Sequence, residues 1–155
     1  MTPGPLADDP GDDDGERYVV FRARGAWYGA PVAEVQEILM LPPVAEVPGA
    51  GPHVAGVVIV RGAMVTLLDL PSLLGDAVTP TGAATGALVV EVGGEPIALQ
   101  VDDVARVDRV PARAIEASYE IAGGVAPHVL GVARLPGRAF VTLLDLGALL
   151  ASLDL

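Results

Sequence analysis

Two aspartates in identical surroundings are the first candidates for chemistry in this sequence. The hexapeptide VTLLDL occurs at Val65–Leu70 and again at Val141–Leu146, and its acidic residue is Asp69 in one copy and Asp145 in the other. Carboxylates that meet from two halves of a molecule, about 3 Å apart, can share one proton, as in aspartic proteases. That chemistry uses an aspartate followed by Thr or Ser and then Gly, whereas both aspartates here precede leucine. Two helix caps are therefore the favoured interpretation, and a duplicated aspartic hydrolase remains as a remote alternative.

Histidine and serine residues give no stronger signal for catalysis. His53 and His128 recur in the repeated tripeptide PHV, but a zinc or iron site usually needs a third ligand at short spacing, and none is visible. The chain has no cysteine, which excludes disulfides and thiolate metal ligands. Ser72, Ser118 and Ser152 stand in no recognisable triad context with histidine, and no phosphate-binding loop motif is present. We therefore predict no enzymatic activity, no metal and no cofactor.

Charge and hydropathy exclude further classes of protein. The net charge is −11, from 20 acidic residues against nine basic ones, and every base is arginine. No basic patch is available to neutralise phosphates, which argues against nucleic acid as a partner. No uncharged apolar run approaches the roughly 18 residues of a membrane span, and the first residues lack the pattern of a secretion signal. The sequence predicts a soluble, cytoplasmic protein without direct membrane insertion.

The first 16 residues form a segment of their own. Met1–Glu16 holds six acidic residues and no basic one, with proline and glycine between them. Such a segment has almost nothing to bury, so we predict a disordered acidic leader. A solvated leader is the favoured interpretation, with a docking tail as the less favoured one.

The rest of the chain repeats one plan twice. A hairpin begins at Tyr18–Arg24, and further hairpins are predicted to turn at Arg61-Gly62 and Gly93-Gly94. A glycine-rich linker at residues 76–86 separates the copies. We expect a mostly β fold of two small antiparallel barrels, the first at about 17–75 and the second at about 87–155, with elements that could be exchanged between them.

A short helix is predicted after the first hairpin of each copy. Its apolar residues recur at helical spacing in both copies. They are Val32, Val35, Ile38 and Leu39 in the first copy and Val101, Val104 and Val107 in the second.

Six short motifs in the first repeat stand in a distinctive order and spacing: Tyr28-Gly29, Val35-Gln36-Glu37-Ile38, Val47-Pro48, Gly56-Val57, Arg61-Gly62 and Asp69-Leu70. Together they resemble the CheW-like domain, the coupling module of bacterial chemotaxis. The resemblance covers about Tyr18 to Leu153. Two positions depart from the family pattern: Ile59-Val60 stands where the family has Asn-Leu, and Thr66 stands where it has proline.

The resemblance implies two five-stranded SH3-like barrels and an adaptor function. CheW-like proteins bind the regulatory domain of a CheA-type histidine kinase and the cytoplasmic tip of a chemoreceptor, and they do no covalent chemistry. The chain would then work in the cytoplasm at membrane-associated receptor arrays. A CheW-like module that serves a different kinase pathway, in motility or development, is the alternative.

The resemblance also implies which residues of this chain contact the receptor and the kinase. The expected receptor contacts are Glu37, Ile38, Arg61 and Val89, and the expected kinase contacts are Val44, Val47, Pro48, Val57 and Val58. Structural roles stay open for three of them. Ile38 and Val89 could equally belong to the core, and Arg61 could be a solvated turn residue.

Overall fold

The computed structural model describes residues 15–75, 83–116, 128–135 and 140–151. Most of the predicted leader and residues 76–82 of the predicted linker lie outside these ranges. The first strand begins at Glu16, inside the segment assigned to the leader, and the first strand after the linker begins at Gly86. Among the helices in the described ranges, none is long and apolar enough to cross a membrane.

The described residues form eleven strands and two short α-helices. In chain order they are β1 (Glu16–Ala23), β2 (Ala26–Pro31), β3 (Glu37–Met40), β4 (Val54–Val60), β5 (Ala63–Asp69), α1 (Leu70–Leu73), β6 (Gly86–Val92), β7 (Glu95–Val101), β8 (Asp103–Val110), β9 (Ile115–Glu116), β10 (Val129–Ala133), β11 (Val141–Leu144) and α2 (Leu146–Ala151). Single 3-10 turns occur at Val32–Glu34 and Ala112–Ala114.

The strands form two sheets, and each sheet takes strands from both halves of the chain. The six-stranded sheet has the order β8-β1-β2-β11-β10-β9, and the five-stranded sheet has the order β3-β6-β7-β5-β4. The hairpin that opens each repeat therefore lies in the sheet of the other repeat, which is the exchange of elements that the sequence analysis allowed. The prediction of a mostly β fold with two SH3-like units is confirmed.

The exchange changes the pairing inside each sheet. Strand β7 pairs with β5, and β2 pairs with β11, in parallel, so the predicted antiparallel pattern is interrupted once in each sheet. Parallel neighbours cannot be joined by a tight turn, and here the paired strands come from different repeats. The two-residue strand β9 adds a sixth member to one sheet where five were expected.

Three hairpins turn through two residues with positive φ. Arg61 and Gly62 have φ of 53° and 82°, and Gly93 and Gly94 have 59° and 84°. The turn between β1 and β2 consists of Arg24 and Gly25, at 59° and 75°. Two positive φ angles match the type I′ turn, whose twist suits the strands on either side. The predicted turns at Arg61-Gly62 and Gly93-Gly94 are confirmed.

The two predicted short helices are wrong. In the first copy only Val32–Glu34 forms a 3-10 turn, while Ile38 and Leu39 lie in β3. In the second copy, which was predicted to be helical at Val101, Val104 and Val107, the chain continues from β7 into β8. Valine and isoleucine are stiff at χ1 and favour strands. Strands β6 and β1 lie alongside as pairing partners for β3 and β8, so tertiary pairing overrides the helical spacing.

Three apolar clusters hold the sheets together. The largest contains residues of both sheets and both helices, including Phe21, Leu68, Leu99, Leu144 and Leu150. A second cluster lies on the other face of the six-stranded sheet, and a third on the other face of the five-stranded sheet. Since side chains alternate between the faces of a strand, each sheet has its own interior and shares the large cluster with its neighbour.

Two glycines allow a neighbouring segment to lie against an edge of each unit. A Cβ atom at Gly56 would lie 2.5 Å from the carbonyl oxygen of Ala45, and one at Gly131 would lie 2.6 Å from that of Glu116. Gly56 also has a φ of 152°. Any larger residue at either glycine would push the neighbouring segment away from the strand. Glycine therefore has the same role in both repeats.

Candidate functional site

Asp69 is the buried cap of α1. Its Oδ2 atom accepts a hydrogen bond of 3.1 Å from the backbone N–H of Ser72, and its Oδ1 accepts one of 2.8 Å from Nε2 of Gln100. Asp69 and Gln100 are both 0% exposed. The capping role predicted for Asp69 is confirmed, and the buried amide of Gln100 comes from the other repeat.

Asp145 caps α2 in the same way but has a different neighbour. Its Oδ1 accepts 3.0 Å from the backbone N–H of Ala148. Glu34 reaches the same helix start, where its Oε1 accepts 3.0 Å from the N–H of Leu146 and its Oε2 accepts 3.4 Å from that of Gly147. The second predicted cap is therefore also confirmed, with a second carboxyl group beside it.

The Glu34 carboxyl group has a raised pKa. Burial is the largest cause, and the negative charge of Asp145 adds to it, while the hydrogen bonds from the Leu146 and Gly147 amides oppose it. The two carboxyl groups lie at the same helix start, since a Cβ atom at Gly147 would lie 3.4 Å from Oδ1 of Asp145 and 3.4 Å from Oε2 of Glu34. Two carboxyl groups this close disfavour a negative charge on both.

The duplicated histidines occupy equivalent places before the two caps. The carbonyl oxygen of His53 accepts 2.9 Å from the Asp69 N–H, and that of His128 accepts 2.8 Å from the Asp145 N–H. In the described part of the chain, no three His, Cys, Asp or Glu side chains lie close enough to hold a metal ion. The two histidines therefore hold equivalent backbone positions in the two repeats.

One contact of His53 was missed by the sequence analysis. Its Nδ1 shares a hydrogen bond of 2.6 Å with the hydroxyl of Ser72, although the two residues are 19 positions apart. Ser72 is only 6% exposed and lies in the first turn of α1, so a substrate has little access to its hydroxyl. Only the fold of β4 and β5 brings the pair together, and no local motif could have revealed it.

Among the expected receptor contacts, Arg61 and Glu37 form a bidentate ion pair. Nε of Arg61 donates to Oε1 of Glu37 at 3.0 Å, and Nη2 donates to Oε2 at 2.9 Å. The side chain of Arg61 is 77% exposed, and that of Glu37 is 25% exposed. The hydrogen bond and the charge of Glu37 raise the pKa of Arg61. Because β3 and β4 are the two edges of the five-stranded sheet, this pair ties one edge to the turn that follows the other.

The other two expected receptor contacts differ in exposure. Ile38 follows Glu37 in β3 and is 43% exposed, which removes it from the core position that its spacing suggested. Val89 lies directly opposite Glu37 in the pairing of β3 with β6, but it is 4% exposed. The structure therefore brings all four residues to one region, with Val89 beneath the surface.

The expected kinase contacts also divide by exposure. Val58 is 1% exposed and belongs to the interior of the five-stranded sheet, with Val44 packed against it. Val57 exchanges backbone hydrogen bonds of 2.8 and 2.9 Å with Ala45. Val47 is 46% exposed, and Pro48 is also exposed. Of the five residues, these last two offer the most side-chain surface.

The sequence analysis overlooked an exposed apolar pair beside Arg61. Ile59 and Met64 lie directly opposite each other in the β4–β5 hairpin and are 56% and 75% exposed. The two-residue turn at Arg61-Gly62 could have revealed the pair, because turn length fixes the register. We call the group of Glu37, Ile38, Ile59, Arg61 and Met64 the hairpin-tip surface.

Comparison with known proteins assigns the chain to a family. The model of the CheW-like domain matches residues 17–154. A protein named PilI from Pseudomonas aeruginosa is 35% identical over 91 residues, which are 59% of this chain and 51% of that protein. The chain thus aligns with about half the length of PilI. The chemotaxis protein CheW of Klebsiella aerogenes is 25% identical over 142 residues, which are 92% of this chain and 86% of that protein.

A solved structure has the same fold. The scaffolding protein TtCheW from Thermoanaerobacter tengcongensis superposes with a TM-score of 0.72 at 21% identity, over 87% of this chain and 92% of that one. The family model spans nearly all of the chain beyond its first 16 residues and includes both sheets. The chain therefore belongs to the CheW-like domain family.

Proposed function

We propose that the chain is a non-enzymatic adaptor that couples chemoreceptors to a CheA-type histidine kinase. Membership of the CheW-like family and the likeness to a chemotaxis protein over 92% of the chain support this function. The chain would act in the cytoplasm at receptor arrays and would catalyse no reaction. The helix-capping hydrogen bonds of both duplicated aspartates, the buried Asp69 and the half-buried Asp145, agree with a role in folding rather than hydrolysis.

The hairpin-tip surface is the observation on which the receptor site rests. It combines an ion pair at the surface with apolar side chains that are exposed to solvent. The side chain of Met64, for example, is 75% exposed. A partner helix can bury such side chains while it hydrogen-bonds the guanidinium group of Arg61. Docking would use the exposed atoms of Arg61 and leave the bond to Glu37 in place, so that Glu37 orients the guanidinium group.

The kinase site is proposed at the outer side of β4. Backbone groups of Val57 point outward to Ala45, and since strand residues two apart share an orientation, those of Ile59 point to the same edge. Exposed Val47 and Pro48 lie on the segment that contains Ala45. A partner strand or barrel could cover this edge, with Val57 contributing backbone and the buried Val58 supporting the strand from within.

The likeness to PilI favours keeping a second candidate pathway. Identity to PilI is 35% but over a shorter alignment than the 25% identity to CheW. Ile59 and Val60 also depart from the family's Asn-Leu at the hairpin tip. We therefore propose, as the alternative, an adaptor for another kinase pathway, such as one for motility or development.

Size-exclusion chromatography of the purified protein with the regulatory domain of its cognate CheA-type kinase tests the proposal. We expect the two proteins to co-elute, and we expect replacement of Val47 by aspartate to weaken the complex. Replacing Thr142, a half-buried polar residue of β11 in the other sheet, by serine is the control. Failure of every candidate kinase domain to co-elute, or turnover of a substrate by the purified protein alone, would contradict the adaptor function.

A further inference from the structure

The acidic leader joins the fold beside a group of arginines. The carbonyl oxygen of Gly15 accepts a hydrogen bond of 2.9 Å from Nη1 of Arg109. A Cβ atom at Gly15 would lie 2.6 Å from the Cα atom of Pro111, so the leader joins the fold where β8 ends. Five aspartates lie among the residues that precede Gly15.

Two exposed arginines line a cavity close to this point. The cavity has a volume of about 260 Å³ and is lined by Arg113, Ala114, Glu116, Val132, Arg134 and Phe140. The guanidinium carbon of Arg134 lies 5.4 Å from the centre of the Phe140 ring, which is 56% exposed. Since Arg113 follows Pro111 by two residues, a span of at most about 7 Å, the rim of this cavity lies near Gly15, where the leader joins the fold.

Two more arginines add positive charge at the same end of the sheet. Arg17 and Arg109 occupy directly opposite positions in the pairing of β1 with β8. Like charges at directly opposite positions repel each other. Four of the nine arginines therefore stand around the point where the leader joins the fold, in a chain whose net charge is −11. The acidic residues of the described chain nearest to them in sequence or at the cavity are Glu16, Asp108 and Glu116, and Asp108 forms an ion pair of 2.9 Å with Arg106.

We propose that the acidic leader of this chain docks on its own arginine surface, which we define as Arg17, Arg109, Arg113 and Arg134. Asp12, Asp13 and Asp14 are within three residues of Gly15. An extended chain of seven residues covers about 25 Å, so the aspartates as far as Asp8 can reach the cavity. Tethering gives the leader a local concentration in the millimolar range, which sustains docking through several weak, screened ion pairs.

This docking goes beyond the proposed adaptor function and does not depend on it. A leader bound to the arginine surface competes with any acidic partner that approaches the same face. It leaves the hairpin-tip surface, which lies on the other sheet, accessible.

Paramagnetic relaxation in the full chain tests the docking. The chain contains no cysteine, so Ala7→Cys provides a single site for a nitroxide label on the leader. We expect selective broadening of the amide signals of residues 113–116 and 132–134 at low salt. The broadening should disappear between about 0.01 M and about 1 M salt, where the Debye length falls from about 30 Å to about 3 Å.

Substitutions in the labelled chain identify the contact. The double variant Arg113→Gln/Arg134→Gln should lose the broadening. The control Arg24→Gln, at the far end of β1 from Gly15, should keep it, and circular dichroism should give similar melting temperatures for all three proteins. Broadening spread evenly over the surface, or unchanged by salt or by the double variant, would overturn the proposal. Broadening that grows with protein concentration would assign the contact to a second copy and overturn it as well.

Discussion

The two copies of VTLLDL have the same local structure but different surroundings. In each copy a strand leads into a short helix, and the aspartate accepts a hydrogen bond from the backbone N–H three residues later, at 3.1 Å in one and 3.0 Å in the other. Asp69 then meets the buried amide of Gln100, whereas Asp145 meets the carboxyl group of Glu34.

The difference comes from the exchanged hairpins. Gln100 lies in β7, which pairs with β5 in the five-stranded sheet, and Glu34 follows β2, which pairs with β11 in the other sheet. Each cap therefore receives its side-chain neighbour from the opposite repeat. Identical hexapeptides fix the backbone and the cap, while the partner hairpin decides whether the aspartate meets a donor or a second acid.

Removal of the two aspartates should have unequal effects. Asp69→Ala removes a helix cap that contributes about 1 kcal/mol. It also leaves the buried Gln100 amide without this acceptor, which costs about a further 1–3 kcal/mol. We expect a loss of about 2–4 kcal/mol in the free energy of unfolding. Asp145→Ala should lose about 1 kcal/mol, because its neighbour is an acid whose repulsion is relieved. Urea denaturation measures both, and equal losses would contradict the asymmetry.

The two edge glycines should respond alike, in contrast to the aspartates. Gly56→Ala and Gly131→Ala each place a Cβ atom within 2.6 Å of a backbone carbonyl, and we expect losses of about 1–3 kcal/mol from the displacement. Gly25→Ala is the control for φ at Gly56, since Gly25 also has positive φ but no atom within 4 Å of the added carbon. If thermal unfolding found Gly25→Ala as damaging as Gly56→Ala, the cost at Gly56 would lie in φ rather than in the close contact, whereas Gly131 has no positive φ to account for its loss.

The pair of Glu34 and Asp145 should make stability depend on pH. The folded pKa of Glu34 is raised, so the folded state binds this proton more tightly than the unfolded state. Its contribution to stability is present below the unfolded pKa and is lost as the pH rises through the folded pKa.

Glu34→Gln removes this titration while it retains an oxygen for the α2 amides. From about pH 4 to about pH 7 the variant should gain stability relative to the parent chain, as measured by urea denaturation at each pH. Glu91→Gln, at an exposed position of β6 near α2, is the control and should show no such trend. A constant difference between Glu34→Gln and the parent would contradict the raised pKa of Glu34.

Much of this architecture could be predicted from the sequence. The repeat, the turns at Arg61-Gly62 and Gly93-Gly94, and the two aspartate caps each depend on a few neighbouring residues, and all are confirmed. The strands β3 and β8 were mistaken for helices, because short valine-rich segments satisfy both periods and only their partner strands decide.

Side-chain contacts between residues far apart in the sequence were beyond sequence reasoning. The bond from His53 to Ser72, the amide of Gln100 at Asp69 and the ion pair of Arg61 with Glu37 join residues 19, 31 and 24 positions apart. No local rule fixes such pairs. The resemblance placed Glu37 and Arg61 in one site but gave no sign that they bind each other.

The smallest effect on stability is expected at the hairpin tip. Arg61→Ala should leave the melting temperature nearly unchanged, because exposed ion pairs contribute little, while binding of a chemoreceptor tip falls. Arg24→Ala is the matched control, since Arg24 begins the β1–β2 turn at φ 59° as Arg61 begins its turn at 53°. Calorimetric unfolding and titration with a receptor fragment measure the two effects, and equal losses of stability and binding would make Arg61 a structural residue.

Sedimentation velocity of a three-component mixture tests the adaptor function most directly. The mixture contains the full chain, a CheA-type kinase regulatory domain and a chemoreceptor tip fragment. We predict one species that contains all three proteins, since the hairpin-tip surface and the exposed segment at Val47 and Pro48 share no residue. Binary complexes that exclude each other, or no complex at all, would contradict the account.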